Sequence, residues 1–196
     1  MIAWQYIITT LPEVAIALAT FALDPTHSSV DFTVRHMVFS RVRGTFEKFS
    51  ATLEVDDTTN LPTAVAATID AASIATNVAD RDAHLKSPDF LDVAKYPAIE
   101  FLSTSISGSP DALTVEGTLT IHGVSRQVRL MAALDGRGKD PWGHDRIAYS
   151  ATVKINRKDF GLTYNQALET GGVLVGEEVE IALSVQAVNT RQPAVA

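Results

Sequence analysis

RDAHLKSPDFLDVAKYPAIEF, residues Arg81–Phe101, is where the chain leaves its two-residue rhythm. On both sides apolar and polar residues alternate, with many β-branched side chains. Inside the stretch, Phe90, Val93 and Ala94 fall at i, i+3 and i+4, the spacing of one helical face. Ser87 before Pro88 reads as an N-cap with proline at the first helical position, where its missing N–H costs nothing. Asp89 then stands at the positive end of the helix dipole. Tyr96-Pro97 ends the helix, because the residue before a proline is pushed out of the α region. The preceding DRDAHLK is able to add one further turn. A short helical insert in a sheet protein covers an open edge or plugs an open end.

Outward from the insert the pattern is strand. Upstream, Val30, Phe32 and Val34 alternate with polar neighbours, Met37–Val42 loses the pattern, and Gly44 restarts it. Phe49, Ala51, Leu53 and Val55 share one face, as do Val65, Ala67 and Ile69 beyond the loop Asp56–Pro62. Downstream, Ile99 and Phe101 open a strand that ends near Gly108. Leu113–Ile121 and Val128–Leu134 form a hairpin around Gly123. Asp135–Asp145 reads as a polar loop, Ile147–Ile155 as a strand, NRKDFGL as a turn or bulge, Gly171-Gly172 as a corner and Val179–Ala187 as the last strand. About eight alternating strands without interleaved helices predict an all-β, single antiparallel sheet, closed as a barrel with the insert capping one end. A two-sheet sandwich is the alternative.

Composition narrows the function. The chain of 196 residues is 46% apolar, enough for one domain with a sizeable core. Its net charge of −7 argues against nucleic acid, whose phosphates it would repel. Without cysteine there is no disulfide, thiolate chemistry or Cys-ligated zinc. The first twenty residues are apolar, but no Lys or Arg precedes the run, and Pro12 and Glu13 interrupt it. Residues 1–19 are therefore expected to be an arm of a cytoplasmic protein, with an export leader and a periplasmic location as the alternative. No uninterrupted run reaches transmembrane length. Residues 20–188 are expected to be the barrel and 189–196 a disordered tail.

Four segments in order, LDPTHSSVDFTVRHM (23–37), RDAHLKSPDFLDVAKYPAIEF (81–101), LTIHGVSRQVRL (119–130) and NRKDFGLTYNQALETGGVLVGEEVEI (156–181), resemble the YceI-like family of polyisoprenoid-binding, lipocalin-like proteins. TTLPE (9–13) resembles the short leaders of its cytoplasmic actinobacterial members. The resemblance implies a lipocalin-like antiparallel barrel with an elongated apolar tunnel for a long-chain amphiphile, an isoprenoid chain or fatty amide. It implies no cofactor, no metal and no known reaction.

The inward faces then supply the tunnel: Val30, Phe32, Val34, Leu53, Ile69, Ile99, Phe101, Leu119, Ile121, Tyr149, Val153 and Ile181. Leu85, Phe90 and Leu91 join from the cap, and Phe160 and Tyr164 from the NRKDFGL segment. Read without the resemblance, the same residues fill a solid core. Ala51, Ala67, Gly117 and Ala151 favour a tunnel because they leave room on those faces. Arg35, His36, Arg41, Arg43 and Lys48, opposed only by Glu47, form a basic cluster in an acidic chain. His36, Arg41, Arg43 and His84 are the head-group candidates. Arg157 and Lys158 are expected to pair with Asp159 or Glu169. The histidines lack metal-ligand spacing, so only proximity of His36, His84 and His122 in the fold would assemble a metal site. No GxSxG or phosphate-binding glycine motif occurs. The expected function is non-enzymatic binding, transport or sequestration of a long-chain lipid. The alternatives are an enzyme acting on a quinone-like lipid and a stress-response scavenger of hydrophobic toxins. An exposed edge or apolar patch would support a homodimer.

Overall fold

The computed structural model describes residues 17–37, 39–167 and 172–191. Its strands, in chain order, are β1 Leu18–Leu23, β2 Ser29–His36, β3 Ser40–Phe46, β4 Phe49–Asp56, β5 Leu61–Asp70, β6 Ile74–Ala75, β7 Ala98–Ser109, β8 Ala112–Ile121, β9 Val124–Lys139, β10 Asp145–Asn156 and β11 Val175–Asn189. One α-helix, α1 Ala79–Lys86, stands between β6 and β7.

Eight strands close an antiparallel barrel in the order β1-β4-β5-β7-β8-β9-β10-β11, with β11 returning to β1 through Phe21–Asn189 and Leu23–Ala187. Fifteen residues give β11 a reach of roughly 50 Å, so it serves two partners. Its last residues hold β1, and its Val175–Ser184 part holds β2. From β2 the sheet continues through β3 to β6.

Burial follows the alternation. In β8, Leu113, Val115, Gly117, Leu119 and Ile121 are buried, and the residues between them are not. The turn into β9 is His122-Gly123, both at positive φ (52° and 72°), as a two-residue type I′ hairpin requires. Phe21, Val55, Leu113 and Ile147 anchor one apolar cluster inside the barrel. Ile74, Leu119, Ile155 and Phe160 belong to a second.

Several expectations change. The α-helix lies upstream of Ser87, and Pro88–Ala94 forms successive turns. Ser87 is the C-cap at ψ 170°, because Pro88 bars it from the α region, and Asp92 at φ 45° interrupts any further turn. Within Met37–Val42, β3 already begins at Ser40, since Arg41 and Arg43 alternate with Val42 and Gly44. The space at Gly44 is taken by the Phe32 ring, so a real inward position looks empty in the sequence. The polar stretch Asp135–Asp145 is mostly strand, and only residues 140–144 turn. β1 takes in Leu18 and Ala19 from the stretch read as an arm. Asn189 ends β11, and Thr190 and Arg191 donate to the carbonyls of Thr20 and Leu18, so the start of the expected tail is tied to β1. Residues 1–16, Gly171 and residues 192–196 lie outside the described residues.

Candidate functional site

β10 runs from Asp145 at one end of the barrel to Arg157, just past Asn156, at the other. Between these ends lies a cavity of about 280 Å³ with an almost wholly aliphatic and aromatic wall. Strand register builds it. Val30, Phe32 and Val34 on β2 stand opposite Leu183, Ile181 and Val179 on β11. Those in turn stand opposite Ala151, Val153 and Ile155 on β10. All nine border the cavity. Side chains directly opposite on paired strands share a face, so one inward residue fixes the next around the ring.

Of the sixteen predicted tunnel residues, fourteen border the cavity. Val30, Phe32, Val34, Leu53, Ile69, Ile99 and Phe101 come from β2, β4, β5 and β7, and Leu119, Ile121, Tyr149, Val153 and Ile181 from β8, β10 and β11. Leu85 and Phe90 arrive with Leu91 from the insert, which lays its apolar residues over the cavity. The other two stand elsewhere. Phe160, 1% exposed, is spent in packing against its own cluster on the 3-10 turn Arg157–Phe160. Tyr164 stands behind the lining, with its ring 5.0 Å from Phe90 and 4.9 Å, edge-on, from His84. Ala51, Ala67 and Ala151 do border open space. Gly117 does not: a Cβ there would meet the Phe101 ring at 2.5 Å, so the ring fills the room that the sequence suggested was empty.

The Asp145 end is closed by charge. Arg137 donates to Asp145 at 2.5 Å, Asp57 at 2.8 Å and Asn60 at 2.6 Å, and its guanidinium lies over the Phe21 ring. Tyr149 donates to the Asn60 carbonyl at 2.8 Å. Hydrogen bonds from Arg137 hold the Asp145 carboxyl below the usual carboxylate range against its burial. Beside it, Arg146 bridges Asp24 at 2.7 Å and Asp140 at 2.8 Å.

Arg41 and Arg43 do not face the cavity. Val34 borders it and pairs with Val42, so the residues on either side of Val42 point outward. Arg41 and Arg43 are exposed and pair across with Arg35 and Thr33 on the outer face. His36 is half-buried at the end of β2, where Ser40 donates to its carbonyl. His84 packs edge-on to Phe90 at 5.0 Å, with Nε2 2.9 Å from an Asp89 oxygen, which places it on the cap. Among the described residues no group of three His, Asp or Glu side chains stands close enough to hold a metal ion. No described helix is long and apolar enough to cross a membrane.

Arg157 is the polar residue that strand reasoning passed over. It continues the inward row Tyr149, Ala151, Val153, Ile155, borders the cavity and is 3% exposed. Neither Asp159 nor any other described carboxylate pairs with it, and Glu169 lies outside the described residues. Nε donates to the Gly176 carbonyl at 2.9 Å, Nη1 to Leu162 at 2.5 Å and Nη2 to Val175 at 3.4 Å. Burial pulls its pKa below the ordinary arginine value, with the Glu177 charge opposing. The parity of the inward row was the signal available in the sequence.

Comparison with known proteins bears on this cavity. Residues 21–187 match the YceI-like domain. Protein YceI of Salmonella newport is 39% identical over 165 residues, covering 84% of this chain and 83% of that protein. The crystal structure of the Campylobacter jejuni YCEI protein superposes with a TM-score of 0.70 at 30% identity, covering 80% of this chain and 90% of that one. A polyisoprenoid binding domain from Saccharophagus degradans shares the fold at a TM-score of 0.63 and 16% identity, covering 88% of this chain and 99% of that one.

Proposed function

The chain belongs to the YceI-like family, and from that premise we propose that it binds the tail of a long-chain amphiphile inside its barrel, as a carrier or store rather than a catalyst. The observation that carries this reading is the cavity, whose wall is built from the inward rows of β2, β10 and β11 together with the cap. An apolar cavity of about 150 Å³ takes benzene, or roughly 25 Å³ per carbon. The 280 Å³ seen here therefore seats on the order of eleven carbons. Each buried CH₂ contributes about 0.8 kcal/mol, so such a tail outweighs the ordering costs of association. The wall reads length and girth more than chemistry, which suits isoprenoid and acyl chains alike. Isothermal titration with farnesol and with dodecanol tests the reading. One saturable site with a negative heat-capacity change is expected for both. Absence of heat and of competition for either would overturn it.

A further inference from the structure

We propose that the tip of the β2–β3 hairpin is a docking surface for an anionic lipid bilayer. The inference goes beyond tail binding and needs no ligand in the cavity. The hairpin hangs from β11, outside the closed ring of eight strands. Its tip carries Met37 and Phe39, 37% and 81% exposed. The Met37 amide donates to the Leu174 carbonyl at 2.9 Å, which brings Val173, also exposed, alongside. Large apolar side chains gathered on an exposed projection mark a contact with protein or lipid.

Behind the apolar tip stands a collar of positive charge. Arg35 on β2 is directly opposite Arg41 on β3, Arg43 follows on the same outer face, and all three are exposed. Like charges directly opposite one another cost stability, and among the described residues no carboxylate pairs with any of the three. On the neighbouring strand β11 the acidic side chains are taken, Glu177 by Lys158 and Glu178 and Glu180 by Lys154. In a chain of net charge −7, unmatched cations beside an apolar point fit a surface that offers negative charge and hydrocarbon together. Three apolar side chains on a projecting tip fall short of the roughly 800 Å² per partner of a standard protein interface, whereas a bilayer asks for depth and not area. Trp142 at the far end of the barrel is the contrast: it is 74% exposed, but Arg146 beside it is met by Asp24 and Asp140. The hairpin tip also adjoins the cavity. The wall reaches Val34 on β2, about 10 Å of strand short of Met37, and Val175 on β11. Asn165 donates to the Val175 carbonyl at 2.7 Å, and Tyr164 before it packs on Phe90 of the cap. A docked tip therefore holds the capped end of the barrel at the lipid surface.

The test is flotation of the full-length protein with vesicles of phosphatidylcholine alone and of equal parts phosphatidylcholine and phosphatidylglycerol. Binding to the anionic vesicles is expected, and it should be lost in 1 M salt, where the screening length falls to about 3 Å. Each arginine near the surface contributes about fivefold, so Arg41→Gln/Arg43→Gln should weaken binding roughly 25-fold. Phe39→Ser should weaken it on the order of tenfold. Trp142→Ser should bind as the parent does. All these positions are exposed, and an unchanged melting temperature checks that each variant keeps its barrel. Equal binding to both kinds of vesicle, binding to neither, or loss in Trp142→Ser but not in the tip variants would overturn the docking surface. Dodecanol titration separates the two readings. Dodecanol uptake by a protein that ignores the vesicles overturns docking and leaves tail binding standing, and vesicle binding without dodecanol uptake does the reverse.

Discussion

Ala151→Phe separates a cavity from a packed core. Ala151 stands opposite Leu183 on β11 and Ala132 on β9, and all three side chains border the cavity. The substitution adds one benzene ring, for which about 150 Å³ is needed. That is roughly half of the 280 Å³ present. Room for about six tail carbons disappears, and at ~0.8 kcal/mol per CH₂ the loss approaches 5 kcal/mol, or about three orders of magnitude in affinity. The assay is a series of n-alkanols titrated into parent and variant. In the parent, affinity should climb with each methylene and level off near eleven carbons, whereas in the variant it should level off near five. Stability should move the other way. A ring that enters open apolar space adds about 1.5–3 kcal/mol, whereas a ring forced into a filled core costs typically 1–3 kcal/mol. Weaker long-chain binding together with a higher melting temperature is the expected pair. A destabilised variant, or one whose chain-length profile matches the parent, would show that Ala151 faces a filled core.

Gly117→Ala brings a methyl group to 2.5 Å from the Phe101 ring and 2.6 Å from the Leu102 carbonyl, so a loss of about 1–3 kcal/mol is expected in chemical denaturation. Gly136→Ala meets nothing within 4 Å and should be neutral or stabilising by up to about 1 kcal/mol. Equal effects at the two positions would contradict this assignment. Burial pushes the Asp140 carboxyl up, but donation from Arg146, His144 and Trp142 outweighs it and holds the group at about 2. Hydrogen bonds from Thr26, then Arg146 and His27, likewise hold Asp24 low. With folded-state values below those of the unfolded chain, both groups stabilise above the ordinary carboxylate range, and that stability is lost as pH falls through it toward 2. Asp140→Asn should therefore lower the melting temperature at neutral pH, and the gap to the parent should close between pH 5 and 2. A gap that stays constant across that range would show that the ion pair does not act through ionisation.

Much of the barrel was legible because its strands obey one rule. Leu113 to Ile121 and Tyr149 to Ile155 alternate cleanly, and alternation alone places twelve of the predicted lining residues on inward faces. What failed had local causes. Ser-Pro suits both the first turn of a helix and the residue that stops one, and Ser87 does the second. The charge order was the better guide: Asp80 and Asp82 lie in the first turn of α1 and His84 and Lys86 in the last, as the helix dipole favours. The polar run around Gly136 and Gly138 resembled a loop because that end of the barrel is closed by Arg137, Asp57 and Asp145 and not by apolar side chains. Basic residues cluster around Arg41 and Arg43 in the sequence, yet parity turns both outward. The buried cation is the isolated Arg157, whose carbonyl partners lie 5 to 19 residues away and carry no side-chain signature.

Native mass spectrometry of the protein purified from its own cells, followed by organic extraction, tests whether the barrel holds an amphiphile tail. An adduct of defined mass that extraction releases as an isoprenoid or acyl lipid is expected. An apo mass that stays unchanged after incubation with farnesol, dodecanol and dodecanoate would contradict it.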